Sequence, residues 1–173
     1  SLPIDPPEPN PNNIIDLTII RSIIEDIDFI SAAMSPLAIH HSIINGAISI
    51  DSDTNIESST LLGDVSVAAI EGSNSLFTQP INVVRKQLGF IRYSYVSNDK
   101  LNNDLPKVYR TLFKDQENNI EPVFTSLDRY HPAFTQLAEI CPKVIKEGAE
   151  NGAEIGVFCL LYTSDAADEL LGV

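Results

Sequence analysis

Ser42-Ile-Ile-Asn-Gly46-Ala-Ile-Ser-Ile50, Ser59-Thr-Leu-Leu-Gly63-Asp-Val-Ser-Val67 and Ser75-Leu-Phe-Thr-Gln79-Pro-Ile-Asn-Val83 are three copies of one nine-residue pattern, set 17 and then 16 residues apart. Each copy runs Ser, an apolar residue two places on, Gly or Gln two after that, then apolar, small polar, apolar. A fixed period with alternating apolar positions is the mark of a solenoid, whose units bury their faces only against their neighbours. Ser49, Ser66 and Asn82 are expected to point outward. Ile48, Ile50, Val65, Val67, Ile81 and Val83 are expected to form interior columns, each side chain contributing about 1.5–3 kcal/mol by burial. The Gly or Gln of each copy is placed at a bend between short strands, where positive φ costs glycine little.

Working outward, residues 1–13 hold five prolines without periodicity and are expected to be an extended linker. Residues 14–96 are read as solenoid rungs. Asp16 to Phe29 fits the pattern with one residue deleted after Ser22; isoleucines at three- and four-residue spacing offer a helix as the rival, but Ile and Thr dominate and Ile27-Asp28-Phe29 alternates like Ile48-Ser49-Ile50. Ile30 to Pro36 is a turn, after which Leu37-Ala-Ile39 enters the first clear copy. Gln87 to Val96 reads as one strand, with Phe90, Arg92 and Ser94 on one face and Ile91, Tyr93 and Tyr95 on the other.

Residues 97–126 form a loop-rich extension with short strands at Lys107–Phe113 and Pro122–Ser126. Residues 127–158 are read as a helical cap over the open end of the stack, with helices at Ala133–Ile140 and Pro142–Glu147 and a Gly-rich exit at Gly148–Gly156. Pro132 and Pro142 stand at first-turn positions. The fold class is therefore mainly β, a parallel β-helix followed by a small α-helical cap.

The chain of 173 residues, 43% apolar and 20% charged, has the size and composition of one globular domain. It holds no apolar run long enough to span a bilayer, and its first residues carry neither a charged n-region nor an apolar h-region. Ser1 is not Met, and the chain is expected to be a fragment. A formal charge of −13 argues against non-specific nucleic-acid binding, which needs clustered Lys and Arg. Cys141 and Cys159 have no metal-knuckle or redox spacing, and Cys141 is expected to be a buried free thiol.

No phosphate loop, nucleophile elbow or zinc motif is present, so no catalytic residue, cofactor or metal ligand is assigned. Asp51-Ser-Asp-Thr-Asn55 opens like a calcium loop, but Ile56 stands where the turn Gly belongs and Leu62 where the bidentate Glu belongs. His40, His41 and His131 have no ligand spacing. Glu150 and Glu154, four apart, would share a face if a helix continued through them. Parallel β-helices that cleave acidic polysaccharides use a basic residue beside calcium-holding carboxylates, for which Arg85, Lys86 and Arg92 with Asp51, Asp53 and Asp64 are the candidates; solvated rung faces explain them equally well. Arg92, Tyr93, Tyr95, Tyr109 and Arg110 are the candidate interaction surface, an aromatic and basic face suited to sugars or protein partners, with core columns as the rival reading of the tyrosines.

Ile19-Ile-Arg-Ser-Ile-Ile, Ser58-Ser-Thr-Leu-Leu-Gly-Asp-Val, Ser73-Asn-Ser-Leu-Phe-Thr, Arg92-Tyr-Ser-Tyr-Val, Tyr109-Arg and Gly148-Ala-Glu-Asn-Gly-Ala-Glu-Ile-Gly-Val-Phe158 together resemble the C-terminal part of large, mainly uncharacterised bacterial proteins with pectin-lyase-like parallel β-helix segments. The resemblance covers most of residues 14–158 and implies a β-helix; some members are associated with genes for phage-tail-like contractile particles. Thr111 departs from the family pattern, which has Cys after the Tyr-Arg pair. The family continues after the Gly-Ala-Glu stretch with a helical segment containing Gln-Pro-Gln-Arg. Here Cys159 to Glu169 instead resembles the translation of a transposon-type sequencing adapter, so residues 159–173 are expected to be non-native; without Asp165, Asp168 and Glu169 the chain stays acidic.

These features lead to the expectation of a structural or interaction module of a larger bacterial particle or surface protein, with protein partners and a soluble setting in an extracellular or phage-tail-like particle. The alternative is a β-helix that binds or cleaves carbohydrate.

Overall fold

The computed structural model of the protein describes residues 15–29, 35–97 and 104–159. It is mainly β, a parallel solenoid of about five turns. Each of the first four turns supplies three short strands: β1 Thr18–Ile20, β2 Ile23–Ile24 and β3 Ile27–Phe29; β4 Leu37–His40, β5 Ile43–Ile44 and β6 Ile48–Ile50; β7 Asp53–Glu57, β8 Thr60–Leu61 and β9 Val65–Val67; β10 Ala69–Ser73, β11 Leu76–Phe77 and β12 Ile81–Val83. In the fifth turn β13, Gly89–Val96, serves the first two faces at once, and β14, Tyr109–Phe113, pairs with it in parallel. The third face is the separate sheet β12-β9-β6-β3.

The lumen is filled by columns of aliphatic side chains in register. Ile24, Ile44, Leu61, Phe77, Val96 and Phe113 form one, running down the second face. Ile27, Ile48, Val65 and Ile81 form another on the third, with Ser49 and Asn82 exposed and Ser66 half-buried between the inward residues. On the first face the column Ile19, Ile39, Ile56, Gly72, Ile91 is interrupted by glycine, and the Phe77 ring lies 3.4 Å from where a Cβ on Gly72 would stand, so the neighbouring face fills the gap.

The corner between the first and second faces is made by serine. Arg21, His41, Ser58, Asn74 and Tyr93 all adopt left-handed backbone, with φ of 49°, 50°, 47°, 52° and 48°. A non-glycine residue there costs roughly 1–2 kcal/mol, and the serine that follows each one offsets it. The Oγ of Ser22, Ser42, Ser59, Ser75 and Ser94 donates to the carbonyl two residues back, at 2.8–2.9 Å. The same oxygens of Ser42, Ser59, Ser75 and Ser94 accept the backbone N–H of the serine one turn earlier, at 3.1–3.2 Å. The result is a hydrogen-bonded serine ladder through the solenoid.

Two expectations are revised. Gly46 and Gly63 do bend the chain between faces, but their φ is not positive. Glycine is needed there because a Cβ on Gly63 would stand 2.2 Å from the Gly46 carbonyl oxygen, and one on Gly46 would meet the Asp26 carboxylate. The expected alternation along Gln87–Val96 breaks at Tyr93, whose left-handed φ turns the strand by a corner, so Ser94 is buried instead of sharing the outer face of Phe90 and Arg92.

After β14 the chain runs back along the outside of the second face. That face's outward column is Ile23, Ile43, Thr60, Leu76, Tyr95 and Leu112. Leu76 and Tyr95 pack there with Leu137, Cys141, Ile145 and Ile155 into a second apolar cluster. Arg129 forms an ion pair with Glu25 of the first turn, and Val157 N donates to Thr60 Oγ1 at 3.1 Å. The small cap thus lies along the flank. Its only helix among the described residues is α1, Lys143–Lys146, with Pro142 at the N-cap accepting from Ile145 N and Lys146 N. The helix expected at Ala133–Ile140 is absent: Thr135 N and Ala138 N donate to Ser126 and Val123 carbonyls instead of closing helical bonds, and Thr135 has φ of 58°. Pro132 is accordingly not at a helix start.

The linker expected at 1–13 lies outside the described residues, as does all of the adapter-like stretch except Cys159. Cys159 is buried in the flank cluster as a free thiol, as is Cys141. No helix among the described residues is long and apolar enough to cross a membrane.

Candidate interaction face at the last turns

The end of the first face gathers four of the five residues singled out above. Arg92 and Arg110 are register partners on β13 and β14, hence one strand spacing apart, about 4.8 Å along the stack. The Arg92 guanidinium lies 4.9 Å from the centroid of the Phe90 ring, and that of Arg110 lies 5.2 Å from the centroid of Tyr93. Tyr93 is available for this because it occupies the left-handed corner, and β14 has no residue opposite it: the register passes from Arg92↔Arg110 straight to Ser94↔Thr111. Tyr109, 46% exposed, meets Phe113 edge-on at 5.7 Å over the end of the lumen.

Tyr95 does not belong to this face. It is 1% exposed, stands on the outward column of the second face and is covered by the flank segment, and burial pushes its hydroxyl pKa up. The left-handed residue at 93 separates the two tyrosines that strict alternation would have put side by side. Phe90 takes its place in the cluster, a role that its shared face with Arg92 could have indicated.

Most other cations are engaged. Arg85 pairs with Asp53, Lys86 with Asp104, and Lys114 with Glu121 at 2.6 Å. Neither Arg92 nor Arg110 has a carboxylate partner among the described residues; aromatic rings hold them instead, each such contact worth about 0.5–1 kcal/mol at an exposed site.

A shallow groove of about 290 Å³ lies on the first face and is lined by Asp53, Thr54, Asn55, Glu71 and Leu88. Thr54 stands in register with the buried Leu37 and Ile70, and its Oγ1 has no hydrogen-bond partner among the described residues. No group of three or more metal-ligating side chains occurs among the described residues. His40 Nδ1 lies 3.4 Å from Glu57 Oε2, while burial lowers the pKa of His41 and His131 Nδ1 accepts from Ala133 N. Glu150 is exposed, whereas Glu154 is 8% exposed and burial raises its pKa to about 7, so the two share neither helix nor environment.

No family model matches the chain, and no curated protein or solved structure matches it either.

Proposed function

We propose that the chain is a structural or interaction module of a larger bacterial particle or surface protein. The observation that carries this reading is the pair Arg92 and Arg110, two neighbouring guanidiniums held on rings, without a carboxylate partner among the described residues, in a chain of net charge −13. A prepositioned, ring-backed cation pair suits an acidic surface on a partner. The serine ladder adds the rigidity that a scaffold needs. The pectin-lyase-like resemblance, a bacterial source, the tie to phage-tail-like particles and the adapter origin of residues 159–173 belong to this same proposal; reading the locus beyond the codon for Phe158 tests the last of them.

The second reading, carbohydrate binding or cleavage, is favoured by the groove lined by Asp53 and Glu71, beside Arg85. Incubation with polygalacturonate or alginate in the presence of calcium separates the two. The module reading expects no unsaturated uronate product. Product formation that Arg92→Ala or Asp53→Asn abolishes would overturn it in favour of the second.

A further inference from the structure

We propose that copies of this chain dock end to end, the last turn of one, with Lys107 and Arg110, against the acidic first turn of the next. Among the described residues no strand pairs with the far side of β1, β2 and β3, nor with the far side of β14. Every strand on the first face is parallel to its neighbour, so β14 of one copy and β1 of another offer the pairing that joins each interior turn to the next. The lumen is half-closed at both ends, by Leu17, Ile24 and Phe29 at one and Phe113 at the other.

Charge chooses the occupant. The first turn, residues 15–29, carries four carboxylates, Asp16, Glu25, Asp26 and Asp28, against the single guanidinium of Arg21. At the other end Lys114 is engaged by Glu121 and the flanking Asp104 by Lys86, which leaves Lys107 and Arg110 without an ion pair among the described residues. Glu25 is engaged by Arg129, and Asp26 Oδ1 accepts Ala47 N, but Asp16 and Asp28 enter no ion pair among the described residues. With a net charge of −13, side-by-side association is repelled, while end-to-end contact sets opposite signs together. The serine ladder points the same way. Thr111, whose hydroxyl donates to the Ser94 carbonyl, stands in register with Ser94 at one end, and Ser22, at the other, receives no N–H from an earlier serine among the described residues. Stacking two copies would place Thr111 beside Ser22 and continue that column.

Such a contact is heterologous, the two surfaces being different, so it does not close on itself and grows into a filament. The inference rests on the module reading, whose failure would show as lyase activity. The association itself is read by light scattering, which that activity does not affect.

The test is the molar mass of the full chain by light scattering and sedimentation, over a range of concentrations at low and high salt. The expected result is a mass that grows past the dimer with concentration at low salt and falls toward the monomer at high salt. Lys107→Glu with Arg110→Glu, and separately Asp16→Lys with Asp28→Lys, should each weaken association about tenfold or more, with circular dichroism unchanged. Mixing the two double variants should restore growth, which a folding defect would not allow. A monomer at every concentration, as expected if an acidic segment of a different protein covers the last turn, overturns the proposal. So does association that neither double variant alters.

Discussion

In the lumen, aliphatic side chains from successive turns stand at the same height and touch across a repeated register. In the flank cluster, Leu76 and Tyr95 meet Cys141, Ile145, Ile155 and Cys159, which come from turns and one short helix with no repeat between them. The first core is held by ladders whose hydrogen bonds recur every turn, so a change at one height strains its neighbours above and below. The second is held by individual bonds such as Val157 N to Thr60 Oγ1 and Gly156 N to the Asn74 carbonyl, and it includes a buried carboxyl, Glu154. The difference separates a core whose loss is global from one that can open by itself.

The strongest way to break the comparison is Val65→Asp. Val65 is fully enclosed between Ile48 and Ile81, and an unpaired carboxylate there costs more than about 4 kcal/mol. Urea unfolding should show loss of the solenoid and, with it, of the flank cluster that rests on its second face. A melting temperature equal to that of the parent would remove Val65 from the interior column.

Glu154 tests the flank alone. Burial raises its pKa from 4.5 to about 7 in the folded protein, with Lys146 pulling the other way and Glu139 on the same cavity. The stabilisation is complete below about pH 4.5, where both states are protonated. It is lost as the pH rises through 7, because the unfolded chain releases this proton first; the total is at most about 3 kcal/mol. The labelling rate of Cys141 and Cys159, taken relative to that of the urea-unfolded chain at the same pH so that the thiol's own titration cancels, should therefore be higher at pH 8 than at pH 5, and Glu154→Gln should flatten that ratio while leaving the lumen's resistance to urea unchanged. An equal ratio at both pH values would show that the carboxyl does not govern the cover.

The serine ladder sharpens the comparison at intermediate cost. Ser59→Ala removes the acceptor of the buried Ser42 N–H and the donor to the Glu57 carbonyl, a loss of about 1–3 kcal/mol. Ser22→Ala removes a hydroxyl that receives no earlier serine among the described residues, and less than about 1 kcal/mol should follow. Chemical denaturation of the two variants measures the gap; equal losses would mean that the ladder is not cooperative along the stack.

The lumen was legible because a period of 16 or 17 residues repeats the whole environment, so Ile48, Val65 and Ile81 announce one another. The serines were visible as the first letter of the pattern, but the bend was assigned to Gly46 and Gly63 because glycine is the usual carrier of left-handed backbone. Here His41, Ser58 and Asn74 carry it, and the hydrogen bonds that make this tolerable run between turns, beyond any local window. Tyr95 is buried, in keeping with the core reading of the tyrosines rather than the interaction-face one, and a corner at Tyr93 puts it in the outward column of the second face by shifting every later residue to the other face. Ala133–Ile140 has helical spacing, yet its N–H groups find partners at Val123 and Ser126, a tertiary competition that periodicity does not register.

The smallest effect is expected at the interaction face. Arg110→Ala removes one exposed cation–π contact with Tyr93 and no ion pair, so it should change unfolding free energy by less than about 1 kcal/mol. The same substitution withdraws one of the three cations of residues 105–114, and light scattering should show weaker self-association at low salt. A stability loss as large as that of Ser59→Ala would instead place Arg110 among the residues that hold the last turn together.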